Sequence, residues 1–306
     1  MILSSQQLLE DLGAFELTPV QEVEGVFFKR DDLFTPFGLG NVNGGKFRQG
    51  AFLLAQAKEQ GYKRILTGCS LNSPQAPIIA ALSKYFGMEC IVFYGGTKKE
   101  YLDEKHMPRL VKHFGAEIQI ANSGRSSVLY HEIKKIKEDG DFIVNYGMNS
   151  KDPHNLVAFY DSTAIQVHNL PEEIEHLAVT CGSGITAAGI IYGLQKWNRK
   201  VNHVWLLGTA PSRKKKVQDR LSNLAMLTGV NCWNYPFNYM DLFAEGMTYE
   251  KRVEDISFGD IKFHPVYEAK TFTWVKKNLI GKSLIHEGKI VYWIVGNEPE
   301  LLKGVK

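Results

Sequence analysis

Cysteine is scarce and scattered. The 306 residues hold four, Cys69, Cys90, Cys181 and Cys232, with no C-x-x-C spacing. That argues against a disulfide framework or a structural zinc, and a reducing, cytoplasmic compartment fits. The nine histidines form no H-x-x-x-H pair, so no metal is expected. No run approaches the roughly 20 apolar residues of a membrane helix. The opening stretch from Met1 to Gly13 has neither a basic n-region nor a long apolar h-region, so no secretory signal is expected. Charge of one sign is missing too: 36 basic against 33 acidic residues leave a net +3, which does not advertise nucleic-acid binding. One basic run exists, Arg213-Lys214-Lys215-Lys216, and reads as a solvated helix start.

What is present is a globular composition. Hydrophobic residues are 44% and charged residues 23%, with 28 glycines and 11 prolines and no short repeat. Between Arg48 and Val144 one unit recurs in form: an amphipathic stretch, a glycine, then a short apolar run. Gln49–Gln60, Gln75–Phe86, Lys105–Phe114 and Arg125–Asp139 are the expected helices, stopped by Gly61, Gly87, Gly115 and Gly140. The runs that follow them begin at Arg64, Cys90, Glu117 and Phe142. Glycine just past a helix accepts a left-handed backbone cheaply. Helices alternating with such runs imply crossovers and a mainly parallel sheet, so the fold class is α/β.

The alternation resumes with helices at Leu156–His168, Thr186–Trp197 and Val217–Leu227, interleaved with strands at Leu177–Thr180 and His203–Leu207. A helix Val266–Asn278 and a strand Ile290–Val295 close the series, while Gly229–Phe263 has no assignable pattern. No linker interrupts it, which favours two intimate lobes over independent domains.

Three loops carry candidate chemistry. The first, Gly38 to Arg48, turns tightly through glycines and asparagines and places Lys46 where a helix begins. It reads as a nucleotide P-loop only weakly, because Phe47 stands where a hydroxyl should bind magnesium; a glycine-rich turn with a surface lysine is the plain alternative. The second, Thr180-Cys181-Gly182-Ser183-Gly184-Ile185-Thr186, joins a strand to a helix and makes a phosphate cradle of exposed N–H groups. A dinucleotide fingerprint survives there with Ala187 as its last member, and so does an ordinary strand-to-helix turn. The third, Thr67 to Gln75, gathers Ser70, Asn72 and Ser73 at a helix start, a natural carboxylate site. Simple capping by Ser73 ahead of Pro74 explains much of it as well.

These loops in this order, with Pro265-Val266-Tyr267-Glu268-Ala269-Lys270 near the end, resemble one family. It is the tryptophan-synthase-β-like pyridoxal-phosphate (PLP) enzymes of fold type II. The similar branch contains 1-aminocyclopropane-1-carboxylate deaminase and D-cysteine desulfhydrase. The resemblance runs from Thr18 to Val295 and begins with Lys29-Arg30-Asp31-Asp32. It implies that Lys46, in Asn43-Gly44-Gly45-Lys46-Phe47-Arg48, carries PLP as an imine and works at Cα. It implies further that Gly182, Ser183, Gly184, Ile185 and Thr186 hold the phosphate, that Glu268 faces the pyridine nitrogen, and that Tyr267 works at the substrate with Ser73. Ser70 and Asn72 fall in the substrate loop. The resemblance also implies a larger lobe of residues 1–47 and 152–306, a smaller inserted lobe of 48–151, and a homodimer.

There are departures. Gly45 and Pro74 stand where the branch has asparagine, Ile185 where it has glycine, and Ile294-Val295-Gly296-Asn297 where it has His-Thr-Gly-Gly. The expectation is a PLP-dependent lyase or deaminase acting on an amino acid by deamination or β-elimination. Decarboxylation of an amino acid attached to a larger molecule, such as a modified nucleotide, is the alternative, since it would explain the rewritten carboxylate loop. A protein of this fold that binds PLP or a metabolite without catalysis is the third possibility.

Overall fold

A computed structural model of the chain describes residues 4–148, 153–248, 251–282 and 288–304. In chain order its elements begin α1 (Ser5–Asp11), β1 (Val20–Val23), β2 (Val26–Arg30), α2 (Gly44–Glu59), β3 (Arg64–Gly68), α3 (Gln75–Tyr85) and β4 (Glu89–Gly95). They continue with α4 (His106–His113), β5 (Glu117–Ala121), α5 (Ser126–Ile136), β6 (Asp141–Val144), α6 (Pro153–Ala164), β7 (Ile174–Cys181) and α7 (Ile185–Lys196). The last are β8 (Val201–Gly208), α8 (Lys214–Thr228), β9 (Asn238–Asp241), β10 (Ser257–Phe258), β11 (Ile261–Lys262), α9 (Glu268–Val275) and β12 (Lys289–Ile294).

By its internal contacts the chain divides into two units. One comprises Met1–Phe15, Thr35–Leu156 and Pro299–Lys306, the other Glu16–Phe34 and Val157–Glu298. The division therefore runs ahead of Thr35 and not after Phe47, and the expected boundary between Lys151 and Asp152 lies outside the described residues. The reason is packing. Helix α2 packs on α1 and α3, and the N–H groups of Glu300 and Leu301 return to the Gly40 carbonyl at 2.7 and 2.8 Å.

The first unit holds a four-stranded sheet, ordered β5-β4-β3-β6 and parallel throughout. Side chains alternate across it, so Leu66, Ile91 and Phe93 face Leu129 and Ile133 of α5, while Thr67 turns the other way toward Gln75 of α3. Gly61, Gly87 and Gly115 follow their helices with positive φ, as expected of helix stops. Several helix limits differ from expectation, those of α5 and α2 among them. Helix α5 ends at Ile136, three residues early, and α2 begins at Gly44, five residues early, because a buried glycine pair starts its first turn. Lys46 is thereby in that first turn.

The second unit holds a six-stranded sheet ordered β1-β2-β12-β7-β8-β9, parallel except for the β1–β2 hairpin. That hairpin turns through Glu24 and Gly25, both at positive φ, the geometry of a primed two-residue turn. Its Glu-Gly turn is a weaker sequence signal than Asn-Gly, and the hairpin went unread. The stretch without a pattern, Gly229–Phe263, supplies edge strand β9 and the small β10–β11 hairpin. Helix α9 covers one face of the sheet, packing Ala269, Phe272 and Val275 into a core with Phe28, Ala178 and Tyr292. Each fully buried side chain of the size of Val275 or Phe272 contributes about 1.5–3 kcal/mol. No described helix is long and apolar enough to cross a membrane.

Candidate active site

In the first unit the candidate residues gather where β3 gives way to α3. Lys46 is half-buried in the first turn of α2. Its charge reaches the Cys69 thiol, which also meets the Ala76 N–H and the Ser73 side chain. Burial outweighs those three influences and pushes the Cys69 thiol up to about 12, so it stays protonated and is no nucleophile. The Cys69 thiol thus has Ser73 beside it and lies within the field of the Lys46 charge.

The donors of this helix start are already used. The Ser73 N–H donates to the Ser70 carbonyl at 3.0 Å, and the Gln75 N–H to Ser73 Oγ at 3.3 Å. Pro74 and Pro77 have no N–H, and the Ala76 N–H faces Cys69. Gln75 is turned inward as well: its amide donates to Thr67 Oγ1 at 3.0 Å and to the Asn145 carbonyl at 3.1 Å, and accepts from the Gly147 N–H at 2.8 Å. The carboxylate site expected from a bare helix N-terminus is not built in the main chain here. What the loop retains is side chains: exposed Asn72, and Ser70, whose buried Oγ has no hydrogen-bond partner among the described residues.

In the second unit β7 runs through Cys181 into Gly182 and Ser183 and then into α7. Gly184 caps that helix with φ +82°, and a Cβ added there would come within 2.8 Å of Val217 Cγ2. Only glycine serves this turn. Ile185, the departure from the family loop, has helical backbone and a buried side chain, so glycine is not needed at its position. The first-turn N–H groups of α7 lack intrahelical acceptors and point out of the helix start, backed by its dipole. This cradle fits a phosphate.

Tyr267 and Glu268 begin α9, and both are buried. Sequence reading missed what surrounds them. The Tyr292 hydroxyl lies 3.1 Å from the Glu268 carbonyl and 2.6 Å from Thr271 Oγ1, which is 2.7 Å from Thr180 Oγ1. Burial, reinforced by the charge of Glu268, raises the Tyr292 phenol far above its ordinary range, so it remains a donor. The hydroxyl chain ties the end of β7, just ahead of the Gly182–Thr186 loop, to the helix start that carries Glu268. Parity along β12 offered one hint, since Ile290, Tyr292 and Ile294 share a face.

Among the described residues, no group of three or more His, Cys, Asp and Glu is placed to hold a metal ion. All four cysteines are free and buried.

A family model described as pyridoxal-phosphate dependent enzyme matches residues 12–242. The chain belongs to this PALP family. It is a PLP-dependent enzyme of fold type II, and its cofactor is PLP. This PALP chain is 25% identical over 335 residues to the O-seryl-dTMP PLP-dependent decarboxylase of Salmonella phage ViI, covering 90% of this chain and 78% of the relative. It is also 25% identical over 305 residues to the D-cysteine desulfhydrase of Salmonella newport (strain SL254), with 90% and 88% covered. Among solved structures, an ACC deaminase homologue superposes with a TM-score of 0.77 at 21% identity, covering 96% of this chain and 95% of that one. That structural likeness is one of fold.

Proposed function

We propose that this PALP-family enzyme is a lyase that decarboxylates an amino acid carried on a nucleotide. The observation behind this reading is the β3–α3 loop, where every main-chain donor from Ser73 to Pro77 is consumed or absent. Donors fixed on a carboxylate stabilise its charge in the ground state, and that charge vanishes as carbon dioxide departs. A loop without them suits decarboxylation. Deamination or elimination keeps the carboxylate charged throughout and gains from holding it. The similarity to the phage decarboxylase supports the same reading.

In this scheme Lys46 carries the cofactor, and Gly182 to Thr186 hold its phosphate. Glu268 faces the pyridine nitrogen and keeps it protonated, in a buried position braced through its carbonyl by Tyr292. Bound PLP supplies the electron sink for the pair left at Cα when the bond to the carboxylate breaks. Lys46 then delivers a proton to Cα, so the products are carbon dioxide and a primary amine still attached to the nucleotide. Tyr267, Ser70, Asn72 and Ser73 border the amino-acid portion and orient it. Buried free thiols at all four cysteines support a reducing, cytoplasmic setting, and a homodimer follows the family's habit.

The test is carboxyl-labelled O-seryl-dTMP offered to the PLP-loaded enzyme. Label should leave as carbon dioxide, with no ammonia or keto acid formed. Sulfide, ammonia or keto acid from free D- or L-amino acids, without label loss from the nucleotide, would replace this reading with elimination or deamination. The similarity to the desulfhydrase favours that second reaction.

A further inference from the structure

Helix α8 starts with charge of the wrong sign for its own stability. Its first turn is Lys214-Lys215-Lys216, preceded by Arg213 and holding no acid, although a helix N-terminus favours negative charge. Lys216 and Arg220, four residues apart, repel along one face. None of these five cations forms an ion pair among the described residues, and Asp219, on the same helix, is exposed and pairs with none of them. Repulsion from Arg213, then burial and Arg220, lowers the Lys216 ammonium from its ordinary range.

The cluster is fixed in place and lies against the phosphate cradle. A Cβ at Gly184 would lie 2.8 Å from Val217 Cγ2 and 3.8 Å from Arg213 Cβ, so the basic turn leans directly on the loop. The Arg213 N–H donates to the Tyr239 hydroxyl at 2.9 Å, anchoring the turn to β9. Arg213 and Arg220 both act on the Cys181 thiol at the end of β7. Arg220 Nε is buried with no hydrogen-bond partner, and Thr209 Oγ1, buried at the end of β8, has none either. Cations without counter-charge, one of them with an orphaned buried N–H, set against the loop at Gly184, are the chemistry of an anion site.

We propose that Arg213, Lys216 and Arg220 form a second phosphate subsite beside the cofactor cradle, which takes the phosphate of the nucleotide that carries the amino acid. This rests on the nucleotide reading above and adds how that substrate is recognised. The shared chemistry is a nucleotide phosphate, whether on a free nucleotide or within a polynucleotide strand.

The experiment measures binding to the PLP-loaded enzyme by calorimetry, with thymidine 5′-monophosphate, thymidine, inorganic phosphate and oligothymidylate as probes. The monophosphate should bind at least tenfold tighter than thymidine. Arg213→Gln with Lys216→Gln should erase that advantage while PLP affinity stays within twofold. Lys216→Glu, a change at an exposed position, provides a variant whose fold is not at risk and should weaken the monophosphate by a similar factor. Oligothymidylate binding much tighter, with a log–log salt slope that falls by about one per cation removed, would identify a strand as the source; equal binding would identify a free nucleotide. Equal affinity for thymidine and its monophosphate, or unchanged binding by the variants, would overturn the subsite. So would PLP affinity falling in parallel with nucleotide binding, which would return the cluster to the cofactor. Phosphate-dependent binding without carbon dioxide release would leave the subsite standing and remove only the decarboxylase reading.

Discussion

Two strand-to-helix junctions in this protein look alike in sequence and differ in what they offer a ligand. The β7–α7 junction turns through left-handed Gly184, with no side-chain cap on the helix start. At the β3–α3 junction the N–H groups of Ser73, Gln75 and Ala76 are spent on Ser70, Ser73 and Cys69, and two prolines supply none. In the proposed scheme the cofactor phosphate lies at the first junction and the departing carboxylate at the second. The lesson is that a polar loop at a helix start is an anion site only if its N–H groups remain unspent.

The largest effect should come from the lysine beside the closed junction. Lys46→Ala should lower turnover about a thousandfold or more, since both attachment and proton delivery are lost. Borohydride reduction followed by peptide mapping should place the pyridoxyl group on Lys46 in the parent and nowhere in the variant. Labelling chiefly at another lysine would detach this junction from the cofactor altogether.

Glu268→Gln comes next. Removing a charge-assisted contact of roughly 1.5–3 kcal/mol should slow turnover about ten- to a hundredfold. PLP affinity should change much less, because the contact strengthens as charge develops. Parallel loss of affinity and kcat would reduce Glu268 to a packing role.

Gly184→Ala tests the open junction itself. A left-handed alanine costs about 1–2 kcal/mol, and its Cβ would also crowd Val217 at 2.8 Å. PLP should bind about tenfold more weakly and the melting temperature should fall by several degrees. A variant with normal PLP affinity would show that the cradle does not need this turn.

The smallest change would partly reopen the closed junction. Pro74→Ala restores one N–H at the α3 start, and one new hydrogen bond contributes about 0.5–1.5 kcal/mol. Free serine or alanine should then bind a few-fold tighter in a spectral titration, while carbon dioxide release from the nucleotide substrate should not improve. Faster release would contradict the idea that spent donors serve departure of the carboxylate.

Much of this was open to reading from local pattern. Helices α3, α4 and α7 fall within two residues of their expected limits, because 3.6-residue periodicity and a left-handed glycine act within a few residues of chain. Lys46 at a helix start and Gly184 in a strand-to-helix turn were legible for the same reason. The N-terminal hairpin and edge strand β9 were not, since their turn chemistry is weak and their alternation short.

What the sequence by itself determined, then, is the α/β class, the parallel crossovers and the positions of the loops, all consequences of local backbone preference and patterning. Tertiary structure alone decided which donors those loops keep. Gln75 finds Asn145 and Gly147 some 70 residues away only once β6 lies beside β3. Thr180 meets Thr271 across 91 positions only when β12 has returned to pair with β7 and α9 has packed on the sheet. Hydrogen bonds between such distant partners depend on sheet order and register, which no local pattern encodes.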